Sequence, residues 1–85
     1  MPTVSVVVGS AVGLHARPAA IIADAAARLD SPVTLAMSGR EPVDARSALL
    51  IMTLGAGHGD TVAVSGADPA GVRQIAALVQ RDLDA

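Results

Sequence analysis

The sequence predicts an α+β fold, with four strands in a mostly antiparallel sheet and three helices on one face. Three observations carry this. Four short segments are rich in β-branched residues, alternating or continuous. Apolar residues recur at helical spacing over two longer segments and a short third one. The segments follow one another as strand, helix, strand, strand, helix, strand, helix within 85 residues, a length that holds one domain, residues 1–85.

The first strand is TVSVVV, residues 3–8. Gly9 and Gly13 break the chain around a loop that runs to Leu14. ARPAAIIADAAARL, residues 16–29, is the first helix. Alanine has the highest helix propensity, and Pro18 is tolerable because it lies in the first turn. Ala19, Ile22, Ala23, Ala26 and Leu29 share one face, with Asp24 and Arg28 off it as an i,i+4 pair. Asp30-Ser31-Pro32 ends that helix. In VTLAMS, residues 33–38, Val33, Leu35 and Met37 point one way and Thr34, Ala36 and Ser38 the other. Gly39-Arg40 turns into a short strand near residues 41–44, an edge strand because Pro42 cannot donate to a ladder. Residues 47–52 form a short helix, and LGAGHGD, residues 54–60, a glycine-rich loop. DTVAVSG, residues 60–66, is the fourth strand, with Val62 and Val64 inward. Asp68 caps the last helix, Pro69 to about residue 83, whose apolar stripe is Val72, Ile75, Ala76, Val79 and Leu83.

Composition excludes several classes. Apolar residues make up 52% of the chain, which suits a packed domain, and the core must be aliphatic because Phe, Tyr and Trp are absent. The formal charge of −2 and the missing aromatics argue against nucleic acid. No cysteine is present, so disulfides, thiol chemistry and Cys-rich zinc sites are out, and two histidines with scattered acids suggest no other metal site. Residues 4–8 are too short for a signal segment and lack a basic flank. Nothing approaches the ~20 apolar residues of a membrane span. A cytoplasmic protein without a cofactor is the expectation. All six basic residues are Arg, and Lys and Asn are absent, as a GC-rich genome would produce.

The chemistry concentrates in GLHARPAA, residues 13–20. His15 and Arg17 are the only ionisable side chains between Met1 and Asp24, and they stand at a helix start. Such an end carries unpaired N–H groups and a partial positive charge, which suits an anion. Imidazole supplies a nucleophile at neutral pH, and guanidinium a planar cation for bidentate oxygen contacts. His15 therefore either caps the helix or handles an anion such as a phosphoryl group. No carboxylate or cysteine lies near it in sequence, so no hydrolytic triad is suggested. His58, in the glycine-rich loop, reads as an exposed residue.

GLHARPA after a strand, ARSALLIMTLGAGHGDTVAVSG in the second half and a terminal amphipathic helix together resemble the HPr family. These are the histidine-containing phosphocarriers of the bacterial phosphoenolpyruvate-dependent sugar phosphotransferase system. The resemblance covers essentially the whole chain. It implies an open-faced β-sandwich, βαββαβα, with strand order 1-4-2-3. It implies that enzyme I phosphorylates His15 on Nδ1 and that an enzyme IIA domain of a sugar permease receives the group. Arg17 would contact the phosphoryl oxygens and Pro18 would fix the loop-to-helix geometry. The implied protein is a carrier without turnover of its own, and a monomer.

Two further sites follow. Ser47 reads as the N-cap of the short helix. It also stands where many family members carry a serine that a dedicated kinase phosphorylates, which would add that kinase and a transcriptional regulator as partners. A phosphate there would repel an acidic partner without unfolding the helix. A helix as short as ALLIM cannot bury four large apolar residues, so Leu49, Leu50 and Met52 should be partly exposed, as on a docking surface. The family docks partners on this helix, here Ala48, Leu49, Leu50 and Met52 with Arg46 beside them. Arg46 replaces the frequent lysine, and Asp24, Ala27 and Leu50 stand where relatives carry further lysines, so docking should depend only weakly on salt. The aromatic residue common after the first helix is missing as well. Two alternatives stay open: a paralogous carrier of a nitrogen branch or a dihydroxyacetone kinase system, and a regulatory binding protein acting through Ser47.

Overall fold

The computed structural model describes residues 2–82. β1 (Thr3–Val7), α1 (Ala16–Ala27), β2 (Val33–Met37), β3 (Val43–Asp44), α2 (Ala48–Thr53), β4 (Thr61–Gly66) and α3 (Pro69–Gln80) follow in the predicted order. The strands form one sheet in the order β1-β4-β2-β3, with every neighbouring pair antiparallel. The last strand in sequence therefore lies inside the sheet, and β1 and β3 are its edges.

The register aligns the apolar residues. Val6 lies opposite Val62, which lies opposite Met37; Val4 lies opposite Val64, which lies opposite Leu35. Residues opposite one another share a face, so these rows form one apolar surface. Ile22, Ala23 and Ala26 from α1, Ile51 from α2 and Val72, Ile75 and Val79 from α3 pack onto it as one core. The other face carries small and hydroxylated residues besides the exposed Val7, among them Thr3 and Ser65, whose hydroxyl oxygens are 2.9 Å apart. That face is uncovered, which makes the sandwich open. Leu35 is fully buried. Truncating it to alanine would cost about 2–5 kcal/mol, a large share of the ~5–15 kcal/mol that holds a typical domain.

Four expectations need correction. α1 ends at Ala27, not at residue 29. The Arg28 and Leu29 N–H groups instead close a tight last turn onto the Ala25 and Ala26 carbonyls. β3 is only Val43–Asp44, because Pro42 can add no ladder bond. α3 ends at Gln80, where Arg81 turns extended, its carbonyl accepting the Ser10 hydroxyl at 3.2 Å. Leu83, with Asp84, lies outside the described residues. Asp24 and Arg28 form no ion pair; both line an open groove between α1 and α3. An exposed pair of this kind gains too little to hold two long side chains together.

Candidate functional site

The segment before α1 is held by backbone contacts. Gly13 has φ +76°, and a Cβ there would lie 2.6 Å from the Ala56 carbonyl oxygen. Only glycine meets both conditions. Leu14 is buried, and its N–H donates to the same oxygen at 2.9 Å. The loops of residues 9–14 and 54–60 are thus laced together. The Val8 N–H donates to the Asp60 carbonyl at 2.8 Å, and the Gly59 N–H to the Val8 carbonyl at 3.0 Å.

His15 follows this anchor as the exposed N-cap residue of α1, in extended conformation. Its carbonyl accepts the Ala19 N–H at 2.9 Å and starts the helix. Its side chain makes no capping hydrogen bond. Ser47 and Asp68, the N-caps of α2 and α3, do cap: Ser47 Oγ accepts the Leu50 N–H at 3.2 Å, and Asp68 Oδ1 the Ala70 N–H at 3.1 Å. Pro18 brings no N–H and is fully buried. The N–H groups of Ala16 and Arg17 are therefore the open donors of α1, without a hydrogen-bonded acceptor among the described residues. Arg17 is exposed and forms no ion pair among the described residues. An exposed imidazole thus stands at a positively polarised helix end with an uncommitted cation two residues on. That combination can bind and hold an oxyanion.

α2 distributes its apolar residues as its length requires. Ile51 is buried, Ala48 half-buried, and Leu49, Leu50 and Met52 are 69%, 41% and 37% exposed. Arg46, at the N-terminal side of α2, is engaged locally. Its Nη2 lies 2.8 Å from Asp44 Oδ2, and its backbone N–H donates to Asp44 Oδ1 at 2.9 Å. The Arg46 side-chain hydrogen bonds, then its backbone N–H, hold the Asp44 carboxyl below its ordinary value, and the carboxylate raises that of Arg46.

Three features escaped sequence reasoning. Val12, three residues before His15, is 55% exposed; its apolar character inside a glycine-bounded loop was the available signal. Arg40 Nη1 donates to the Leu54 carbonyl at 3.3 Å, placing a cation at the C-terminal end of α2. His58 is exposed as expected, but its Nδ1 also lies 3.3 Å from the Ser10 carbonyl oxygen. Neither contact has a local sequence signal, because the partners lie 14 and 48 residues apart. Among the described residues no cluster of three or more His, Cys, Asp or Glu could hold a metal ion, and no helix is long and apolar enough to cross a membrane.

Residues 2–81 match the family PTS-HPr, described as the PTS HPr component phosphorylation site. Phosphocarrier protein HPr of Streptomyces coelicolor A3(2) is 41% identical over 81 residues, 91% of this chain and 86% of that one. The crystal structure of a phosphocarrier protein HPr from Bacillus anthracis str. Ames superposes with a TM-score of 0.85 at 29% identity, over 93% of this chain and 96% of its own. HPr-C-His from Thermoanaerobacter tengcongensis gives a TM-score of 0.88 at 26% identity, over 100% and 98%. The sheet order, the helix start at His15 and these likenesses agree, and the chain belongs to the HPr family of phosphotransferase-system phosphocarriers.

Proposed function

We propose that His15 is the phosphoryl acceptor and donor, receiving the group from phospho-enzyme I and passing it to an enzyme IIA domain of a sugar permease. The observation that carries this reading is the uncapped helix start: an exposed imidazole at the N-cap of α1 that makes no capping bond, beside two open N–H groups. The Nδ1 lone pair forms the new bond to phosphorus while the bond from phosphorus to the donor breaks and its electron pair leaves with the donor. The Arg17 guanidinium and the open end of α1 neutralise the phosphoryl oxygens. Pro18, buried beneath the first turn, fixes the direction in which the helix leaves the loop. Because the group is only held, it can be passed on, and residues 1–85 act as a single carrier domain between two other proteins.

Partners dock on the apolar surface of α2, through Leu49, Leu50 and Met52 with Ala48 at its margin. Arg46 contributes less free charge than its position suggests, because Asp44 already pairs with it. This favours apolar over ionic docking. Ser47 stays a candidate for regulatory phosphorylation: it is half-buried, and its Oγ already serves as the α2 cap.

Intact mass after incubation with phosphoenolpyruvate, magnesium and a cognate enzyme I tests the reading. One acid-labile phosphoryl group is expected on the wild type and none on His15→Ala. No gain on the wild type would discard the enzyme I branch and leave regulation through Ser47 and α2.

A further inference from the structure

The loop that carries His15 is held from above and below, and one of its supports is a side chain from the other half of the sequence. Ser10 is fully buried, and its hydroxyl donates to the Arg81 carbonyl just past the end of α3. Its carbonyl oxygen accepts the Gly13 N–H at 2.9 Å, closing the turn of residues 10–13. The same oxygen lies 3.3 Å from His58 Nδ1. A carbonyl has two lone pairs and can accept both donors. Ala11 and Val12, the two central residues of this turn, are exposed, so their side chains do not anchor it. Beyond it the chain runs through Leu14 directly into His15.

Resting on the reading of His15 as phosphoryl acceptor, we infer that His58 is a positioning residue for that site: by donating from Nδ1 to the Ser10 carbonyl it holds the turn of residues 10–13, and through it His15, in place. The carbonyl can only accept, so the neutral His58 ring must carry its proton on Nδ1 and leave Nε2 bare. Asparagine places its amide nitrogen where histidine places Nδ1, one bond from Cγ; glutamine places it one bond further out. Asparagine should therefore replace this function, and glutamine and alanine should not.

The experiment uses the full chain with phospho-enzyme I as the phosphoryl donor, and follows the initial rate of phosphoryl uptake. His58 is exposed, so all variants should fold with the wild-type far-ultraviolet circular dichroism spectrum, and the melting temperature should fall by no more than a few degrees where the hydrogen bond is lost. His58→Ala and His58→Gln should slow uptake about two- to tenfold, the effect of losing one ordinary hydrogen bond. His58→Asn should restore it. Nitrogen-15 spectra of the wild type should show the His58 ring protonated at Nδ1. Amide exchange at Gly13 should quicken in His58→Ala and return in His58→Asn. Equal uptake rates in wild type and His58→Ala would overturn the inference, as would an Nε2-protonated neutral ring or an Asn variant no better than Ala. A wild type that takes no phosphoryl group would instead overturn the carrier reading, and this role of His58 with it.

Discussion

The helices α1 and α3 are equally long, and they begin in opposite ways. α3 starts with Asp68, whose carboxylate accepts the Ala70 N–H, followed by Pro69 in the first turn. A carboxylate thus already meets the positive end of that helix. α1 starts with His15, which caps nothing, and leaves two N–H groups open. A good N-cap is worth about 1 kcal/mol, so α1 forgoes stability that α3 retains. It can do so because Leu14 and Pro18, both buried, and the lacing to Ala56 hold its first turn by other means. One helix start is capped by its own side chain, and the other leaves its donors open, as the proposed phosphoryl site at His15 requires.

The sharpest way to break this contrast is at His15. His15→Ala should abolish acid-labile phosphoryl uptake by mass, yet leave the melting temperature close to wild type. His15→Asp should raise stability by about 0.5–1 kcal/mol in urea unfolding while still taking no acid-labile group. A His15→Ala protein that unfolds would mean that the ring serves the fold after all. Next in size is Arg17→Ala, which should slow uptake about 10–100-fold, the loss of a charge-assisted contact. Its stability should stay within about 0.5 kcal/mol of wild type. The mirror-image variant is Asp68→Ala, which should lower stability by about 1 kcal/mol and leave the uptake rate unchanged. Slower uptake there would show that the two helix starts are coupled.

The smallest effect concerns Asp44. Its carboxyl titrates below the ordinary aspartate value because Arg46 bonds its ionised form. Its contribution to stability is therefore full above that value and lost as pH falls through the lower, folded-state one. The pair is well exposed, which keeps the contribution small. Unfolding of Asp44→Asn and wild type should differ slightly near about pH 7 and converge near about pH 2. A difference that persists in acid would show that the side chain acts through packing rather than charge.

Most of the fold was legible because period and punctuation agreed. TVSVVV and VTLAMS announced strands, and Asp68-Pro69 announced the start of α3. The strand order 1-4-2-3 came from family resemblance, since no periodicity reports which strands pair. Element ends were missed where distant residues set them, as when Gly9 and Ser10 bond the Val79 and Arg81 carbonyls at and just past the end of α3. At the candidate site, GLHARP was legible because helix-start chemistry is local. The long-range supports were not. Arg40 on α2 and His58 on the turn of residues 10–13 depend on elements that only the tertiary fold brings together. Arg46 was legible as a charge, but its local neutralisation by Asp44 was not.

The inner position of β4 also sets a timetable for synthesis. β1 pairs with β4 alone, and its contact between Thr3 and Ser65 spans 62 residues. While the ribosome has released only the first half of the chain, β1 has no neighbour, and the loop before His15 lacks the segment around Ala56 that orders it. Closing so long a loop is slow compared with forming a helix. The nascent chain should thus expose an unpaired, valine-rich strand until residues 61–66 emerge, a natural target for a holding chaperone. The loop before His15 gains its last supports later still, when the end of α3 reaches Gly9 and Ser10.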